Sequence, residues 1–129
     1  MAFFGKDLRL GEHVIRLSGG TCLMGILNVT PDSFSDGERY MAPEKALDRA
    51  LEMVSAGAGI IDVGGESSRP GASPVDEKEE IRRVIPVVRL LRKKCGAVIS
   101  VDTAKSEVAR LALDEGAGII NDITALHGD

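Results

Sequence analysis

Polar residues end four apolar runs of this 129-residue chain, and their types suit the holding of a small charged molecule. The first run, Gly25-Ile26-Leu27, stops at Asn28 and passes into Thr30-Pro31-Asp32-Ser33-Phe34-Ser35-Asp36-Gly37. The second stops at Gly64-Gly65-Glu66-Ser67-Ser68-Arg69-Pro70-Gly71, the third at Asp102-Thr103 and the fourth at Asn121-Asp122. Amide and carboxylate oxygens suit a hard cation, and a carboxylate can accept a pair of N–H bonds from the edge of a heterocycle. Arg69, beside Pro70 and Gly71, can grip an oxyanion through two parallel hydrogen bonds. Each residue taken alone reads more simply as a helix or turn cap, Asp102 and Thr103 standing just before a helix and Asn121 able to tie down backbone. Four such ends on one rim favour a ligand site.

A common rim requires the runs to be parallel strands. They are short and rich in isoleucine and valine, as strands covered on both faces are, and they alternate with amphipathic stretches. Strands are expected at Leu23 to Asn28, Ile60 to Gly64, Val98 to Asp102 and Ile119 to Asp122. A first helix begins near Pro43-Glu44, turns Leu47, Ala50, Leu51 and Val54 inward and stops at Gly57. A second opens with Ser73-Pro74-Val75-Asp76 read as a capping box and buries Ile81, Val84, Ile85 and Val88. Its acids Asp76, Glu77, Glu79 and Glu80 crowd the start and Arg89, Arg92, Lys93 and Lys94 the end, which the helix dipole explains without any function. A third runs from about Ala104 to Glu115, capped by Thr103.

The segment Gly57-Ala58-Gly59-Ile60-Ile61-Asp62 recurs as Gly116-Ala117-Gly118-Ile119-Ile120-Asn121, and Gly96-Ala97-Val98-Ile99 echoes its first half. A glycine that ends a helix in the left-handed region, followed by a short turn into a buried strand, is therefore expected three times. No phosphate-loop or dinucleotide glycine fingerprint follows any strand, which favours a barrel over an open nucleotide-binding sheet. Residues 1–22 read instead as a β-hairpin, Leu8 to Leu10 and His13 to Leu17 about Gly11-Glu12, preceding a partial (β/α) barrel over residues 23–129.

Composition narrows the function. A formal charge of −4 and a pI near 5.2 leave no basic stripe for nucleic acid. No window approaches the roughly 18 apolar residues of a membrane span, and the start of the chain lacks a signal peptide's apolar core, so a cytoplasmic location is expected. Cys22 and Cys95 have neither paired spacing nor a neighbouring histidine and read as structural thiols.

In combination, LNVTPDSFSDG, DVGGESSRPGA, SVDT and IINDI resemble the amino-terminal half of the dihydropteroate synthase family, pterin-binding enzymes of folate biosynthesis. The likeness runs from residue 24 to about 125, about half of an eightfold barrel of ~250 residues. It implies the amino-terminal half of a TIM (β/α)8 barrel within a longer enzyme. It further implies condensation of a dihydropterin-methyl diphosphate with p-aminobenzoate, with Mg2+ on the diphosphate and a homodimeric complete protein. By the same resemblance Asn28 contacts the magnesium, Asp102 and Asn121 hold the pterin edge, and Thr30 and Ile123 join the substrate contacts. Phe34, Ser68 and Pro70 lie near the aminobenzoate, Asp36 near the reacting carbon and Arg69 at the departing diphosphate. Ser68 and Glu38 depart from the family pattern, which usually has threonine and glycine there. A corrinoid-type pterin-binding methyltransferase domain and a noncatalytic pterin-binding module are the alternatives.

Overall fold

The computed structural model describes residues 7–17, 19–30, 41–67 and 70–129. An antiparallel hairpin, β1 (Leu8–Leu10) and β2 (His13–Ile15), precedes β3 (Leu23–Asn28), α1 (Pro43–Ser55), β4 (Ala58–Gly64), α2 (Glu77–Lys94), β5 (Val98–Asp102), α3 (Ser106–Asp114) and β6 (Ile119–Asn121). The last four strands form one parallel sheet in chain order, β3-β4-β5-β6. This is three successive βα units and a fourth strand, the amino-terminal half of a TIM (β/α)8 barrel. No helix among the described residues is long and apolar enough to cross a membrane.

The period-two alternation of the strands divides their side chains between two faces. Leu27, Ile61, Val63, Ile99 and Val101 enter one core with Ala46, Leu47 and Ala50 of α1 and Val84, Val87, Val88 and Leu91 of α2. The opposite, concave face is apolar at its base, where Ile60 and Val98 pack with Ile15, Leu10, Cys22 and Ile119. The hairpin thus plugs the amino-terminal end of the sheet, leaving the carboxy-terminal end for polar residues.

Helix boundaries depart from expectation for traceable reasons. The second helix starts at Glu77, not Ser73, because Asp76 is the cap, its Oδ1 accepting the Glu79 N–H at 2.7 Å. Upstream, the Val75 N–H is already spent on Glu66 Oε2 at 3.2 Å, and residues 72–75 stay outside the helix. Pro86 lies inside α2 without ending it. The third helix starts at Ser106, after an extended Lys105. Thr103 does not cap it; its Oγ1 accepts the Lys105 N–H at 3.2 Å in the preceding turn. The carboxylate that serves the first turn comes from far along the chain, Asp129 Oδ2 accepting from both N and Oγ of Ser106 at 2.7 Å. Leu51, expected inward, is 40% exposed, while Ala46, Leu47 and Ala50 are the buried residues of α1.

Two of the three expected glycine joints form. Gly57 and Gly116 have φ of +110° and +107°, whereas the joint at Gly96 follows an extended Cys95 and uses no positive φ. Gly116→Ala should therefore cost about 1–2 kcal/mol and Gly96→Ala within about 0.5 kcal/mol. Equal losses in urea melts would contradict this division.

Candidate functional site

Register brings the four strand ends together. Asn28 is paired with Gly64, Gly64 with Asp102 and Asp102 with Asn121. Neighbouring strands stand about 4.8 Å apart, so adjacent ends can share one ligand. Alternation puts Asn28, Asp102 and Asn121 on the concave face, together with two residues one step below them, Asp62 and Ser100, which are paired across β4 and β5.

Asp62 and Ser100 are the residues that sequence reasoning missed. They are 2% and 0% exposed, and Asp62 Oδ1 and Ser100 Oγ are the buried side-chain polar atoms lacking a hydrogen-bond partner among the described residues. An unpaired buried polar atom costs about 1–3 kcal/mol, a burden typical of sites awaiting a ligand or water. The other oxygen of Asp62, Oδ2, accepts from Asn121 Nδ2 at 3.2 Å. That bond reaches over the small Ser100 of β5, from β4 to β6, which only a concave sheet permits. A carboxylate cannot donate, so the bond also fixes which way round the Asn121 amide sits: Nδ2 toward Asp62 and Oδ1 away from it. A warning was present in the sequence, since Asp62 is a lone acid in the apolar stretch Gly59-Ile60-Ile61-Asp62-Val63.

Asp102, half-buried on the rim, adds a further carboxylate. Burial raises its pKa above the ordinary aspartate value, and the negative charges of Asp62, Glu80, Asp122 and Glu66 raise it further. The concave end is therefore rich in acceptors and poor in donors, which selects a ligand presenting several N–H groups, such as an aminopyrimidine edge. Such a field repels a diphosphate, so an anionic substituent must point away from Asp62 and Asp102.

The remaining candidates divide. Asn28 is exposed, and its Oδ1 accepts the Thr30 N–H at 3.0 Å, making the turn that leaves β3. Ile123 is 75% exposed yet lines a cavity of about 80 Å³ with Glu66, Ser67, Asp102 and Thr103. Asp122 proves to be a turn residue, Oδ1 accepting from Thr124 N and Oγ1 and Oδ2 from Leu126 N. Pro70 is exposed. Phe34, Asp36, Ser68 and Arg69 lie outside the described residues, as does Glu38.

Residues 24–129 match the family model of pterin-binding enzymes. The chain is 60% identical over 109 residues to the dihydropteroate synthase of Bacillus subtilis, a match covering 84% of this chain and 38% of that protein. In structure it is similar to the Yersinia pestis dihydropteroate synthase in complex with a sulfonamide drug, with a TM-score of 0.87, 47% identity and coverage of 96% of this chain and 45% of that one. It is also similar to the Xanthomonas albilineans dihydropteroate synthase with 4-aminobenzoic acid, with a TM-score of 0.85, 46% identity and coverage of 94% and 45%. The chain spans less than half the length of these relatives.

The raised pKa of Asp102 has a definite sign in stability. Its contribution is intact below the unfolded value and is lost as pH rises through the folded value. Asp102→Asn should raise Tm at pH 7 by about 1–4 °C, with the gap closing toward low pH where the wild-type carboxyl is protonated. A variant less stable at pH 7, or a gap that widens on acidification, would show the ionised carboxylate to be structurally needed.

Proposed function

The chain belongs to the pterin-binding enzyme family, and from that premise we propose that it carries the pterin-holding rim of a dihydropteroate synthase. The reaction condenses 6-hydroxymethyl-7,8-dihydropterin diphosphate with p-aminobenzoate in folate biosynthesis. The observation that carries the reading is the acceptor set of Asp62 Oδ1, Asp102 and Asn121 Oδ1 at the carboxy-terminal end of a half barrel, where such folds hold their substrates. A pterin presents on one edge a ring N–H and an exocyclic amino group, the complement of such a set. The names of the relatives, one bound to 4-aminobenzoic acid and another to a sulfonamide drug, support the second substrate.

In this mechanism the arylamine nitrogen lone pair forms a bond to the pterin methylene carbon while the bond from that carbon to the diphosphate oxygen breaks. Diphosphate leaves with the electron pair, and the nitrogen loses a proton. Asp102 and Asn121 hold the pterin so that its methylene faces outward from the acidic end, with Ile123 and Thr30 at the margins. Charge developing at the methylene is stabilised by a nearby carboxylate, the role proposed for Asp36, and the leaving group by Arg69. Phe34, Ser68 and Pro70 are assigned to the aminobenzoate.

Magnesium fits this arrangement on one condition. Among the described residues no group of three or more His, Cys, Asp or Glu side chains can hold a metal. Asn28 offers one amide oxygen whose second lone pair is not taken by Thr30. Magnesium commonly takes one or two protein oxygens and completes its shell with phosphate and water, so the ion would arrive with the diphosphate and Asn28 would steady it. When bound it neutralises leaving-group charge. The complete protein is proposed to be a cytoplasmic homodimer.

Titration calorimetry tests the reading. Dihydropterin diphosphate should bind this chain more tightly with magnesium than with chelator, and Asn121→Ala should weaken binding by about tenfold or more. Binding unaffected by Asn121→Ala would remove the concave rim from the pterin site.

A further inference from the structure

Lys105 is not among the rim residues, yet it joins three elements that surround Asp102. It stands extended just before α3, and its Nζ donates to Glu80 Oε2 at 2.7 Å and to Glu66 Oε2 at 2.9 Å. Glu80, in the first turn of α2, is 1% exposed, and a carboxylate taken out of water requires a cation and hydrogen bonds. Lys105 supplies them. Glu66 differs, its side chain being 38% exposed and able to stay in water without a partner. Its engagement therefore says more about the loop than about the charge.

The same Oε2 of Glu66 accepts the backbone N–H of Val75 at 3.2 Å. One oxygen thus joins Glu66 to Val75, and Lys105 holds that junction. A second tether ties the root of the loop to α2, Arg83 Nη1 donating to the Gly65 oxygen at 2.9 Å. Glu66, Ser67, Glu80, Asp102, Thr103 and Lys105 share the walls of the 80 Å³ cavity, so the clamp and the rim carboxylate border one space. Burial pulls the Lys105 ammonium down, but its hydrogen bonds to Glu66 and Glu80 carry its pKa above the ordinary lysine value. The Lys105 bond likewise keeps Glu66 below the usual glutamate range. Both shifts favour the charged forms of Lys105 and Glu66.

From this geometry we infer that Lys105 is a positioning residue for the candidate site: anchored on buried Glu80, it holds Glu66, and through it Val75, and so sets where Glu66 and Ser67 stand beside Asp102. The inference deepens the proposed function and rests on it for the identity of the ligand, while the clamp itself is read from the chain's own contacts.

Hydrogen exchange on the full chain tests it. Lys105→Met should lower Tm, because Glu80 is left buried and unpaired, and should quicken exchange at the Val75 amide roughly tenfold or more. The paired variant Glu80→Leu with Lys105→Met removes the buried charge together with its partner and should recover the lost stability. Glu66 still lacks its ammonium there, so Val75 should keep exchanging fast and affinity for dihydropterin diphosphate should stay reduced by about tenfold. Unchanged Val75 exchange in Lys105→Met, or slow exchange and full affinity regained in the paired variant, would overturn the inference and make Lys105 a stabilising residue only. If the wild-type chain binds no dihydropterin diphosphate, the proposed function fails and the exchange measurement still decides the clamp.

Discussion

The register of the four parallel strands is the constraint on which the molecule depends. Side chains alternate between faces with a period of two, so a slip of one residue in any strand would send its rim residue into the helix layer and bring an apolar one to the concave face. The observed pairing of Asn28, Gly64, Asp102 and Asn121 in one row is therefore a packing result before it is a functional one. It is enforced by Ile61, Val63, Ile99 and Val101, which find the helices only in this register. At the other end, Leu10 and Ile15 of the hairpin fill the base of the concave face. Apolar closure below and polar openness above give the sheet its direction.

What the register assembles is electrostatically unfavourable. Asp62 and Ser100 are buried with unpaired oxygens, and Asp102 sits among four other carboxylates. Such a set persists because the apolar core elsewhere holds it, and it is typical of a binding surface. It also orients a ligand. Donor-rich heterocycle edges belong beside Asp62 and Asp102, and phosphate belongs away from them, toward Asn28. One molecule carrying both groups can then be held in only one sense, which fixes where its reacting carbon lies.

Much of this was legible in the chain. Strand positions followed from short apolar runs, and β3 and β5 have the expected limits because Asn28 and Asp102 end them abruptly. The repeat carried more information than its glycines suggested: Asp62 and Asn121 occupy equivalent places in its two copies, and these are the two side chains that meet across β5. The repeat placed Asp62 beside its buried isoleucine pair, but nothing local could reveal its partner, 59 residues away. Helix starts were less legible, for the same reason. Ser73 and Asp76 both head plausible capping patterns, and the choice is made by Glu66, which takes the Val75 N–H. Lys105 is extended, not helical, in a position from which its ammonium spans Glu66 and Glu80. Glu80 looked like one acid of a dipole-matched series, and only tertiary packing distinguishes it as the buried member.

The central claim is that an acceptor-rich concave rim recognises a heterocycle by its N–H groups. The most direct measurement compares the affinity of 6-hydroxymethylpterin for this chain with that of the analogue in which the exocyclic amino group is replaced by oxygen. Replacing that donor by an acceptor sets oxygen against carboxylate, and each such mismatch at a buried site costs about 1–3 kcal/mol. The account predicts that the pterin binds at least about tenfold more tightly. Equal affinity for the two compounds would contradict it.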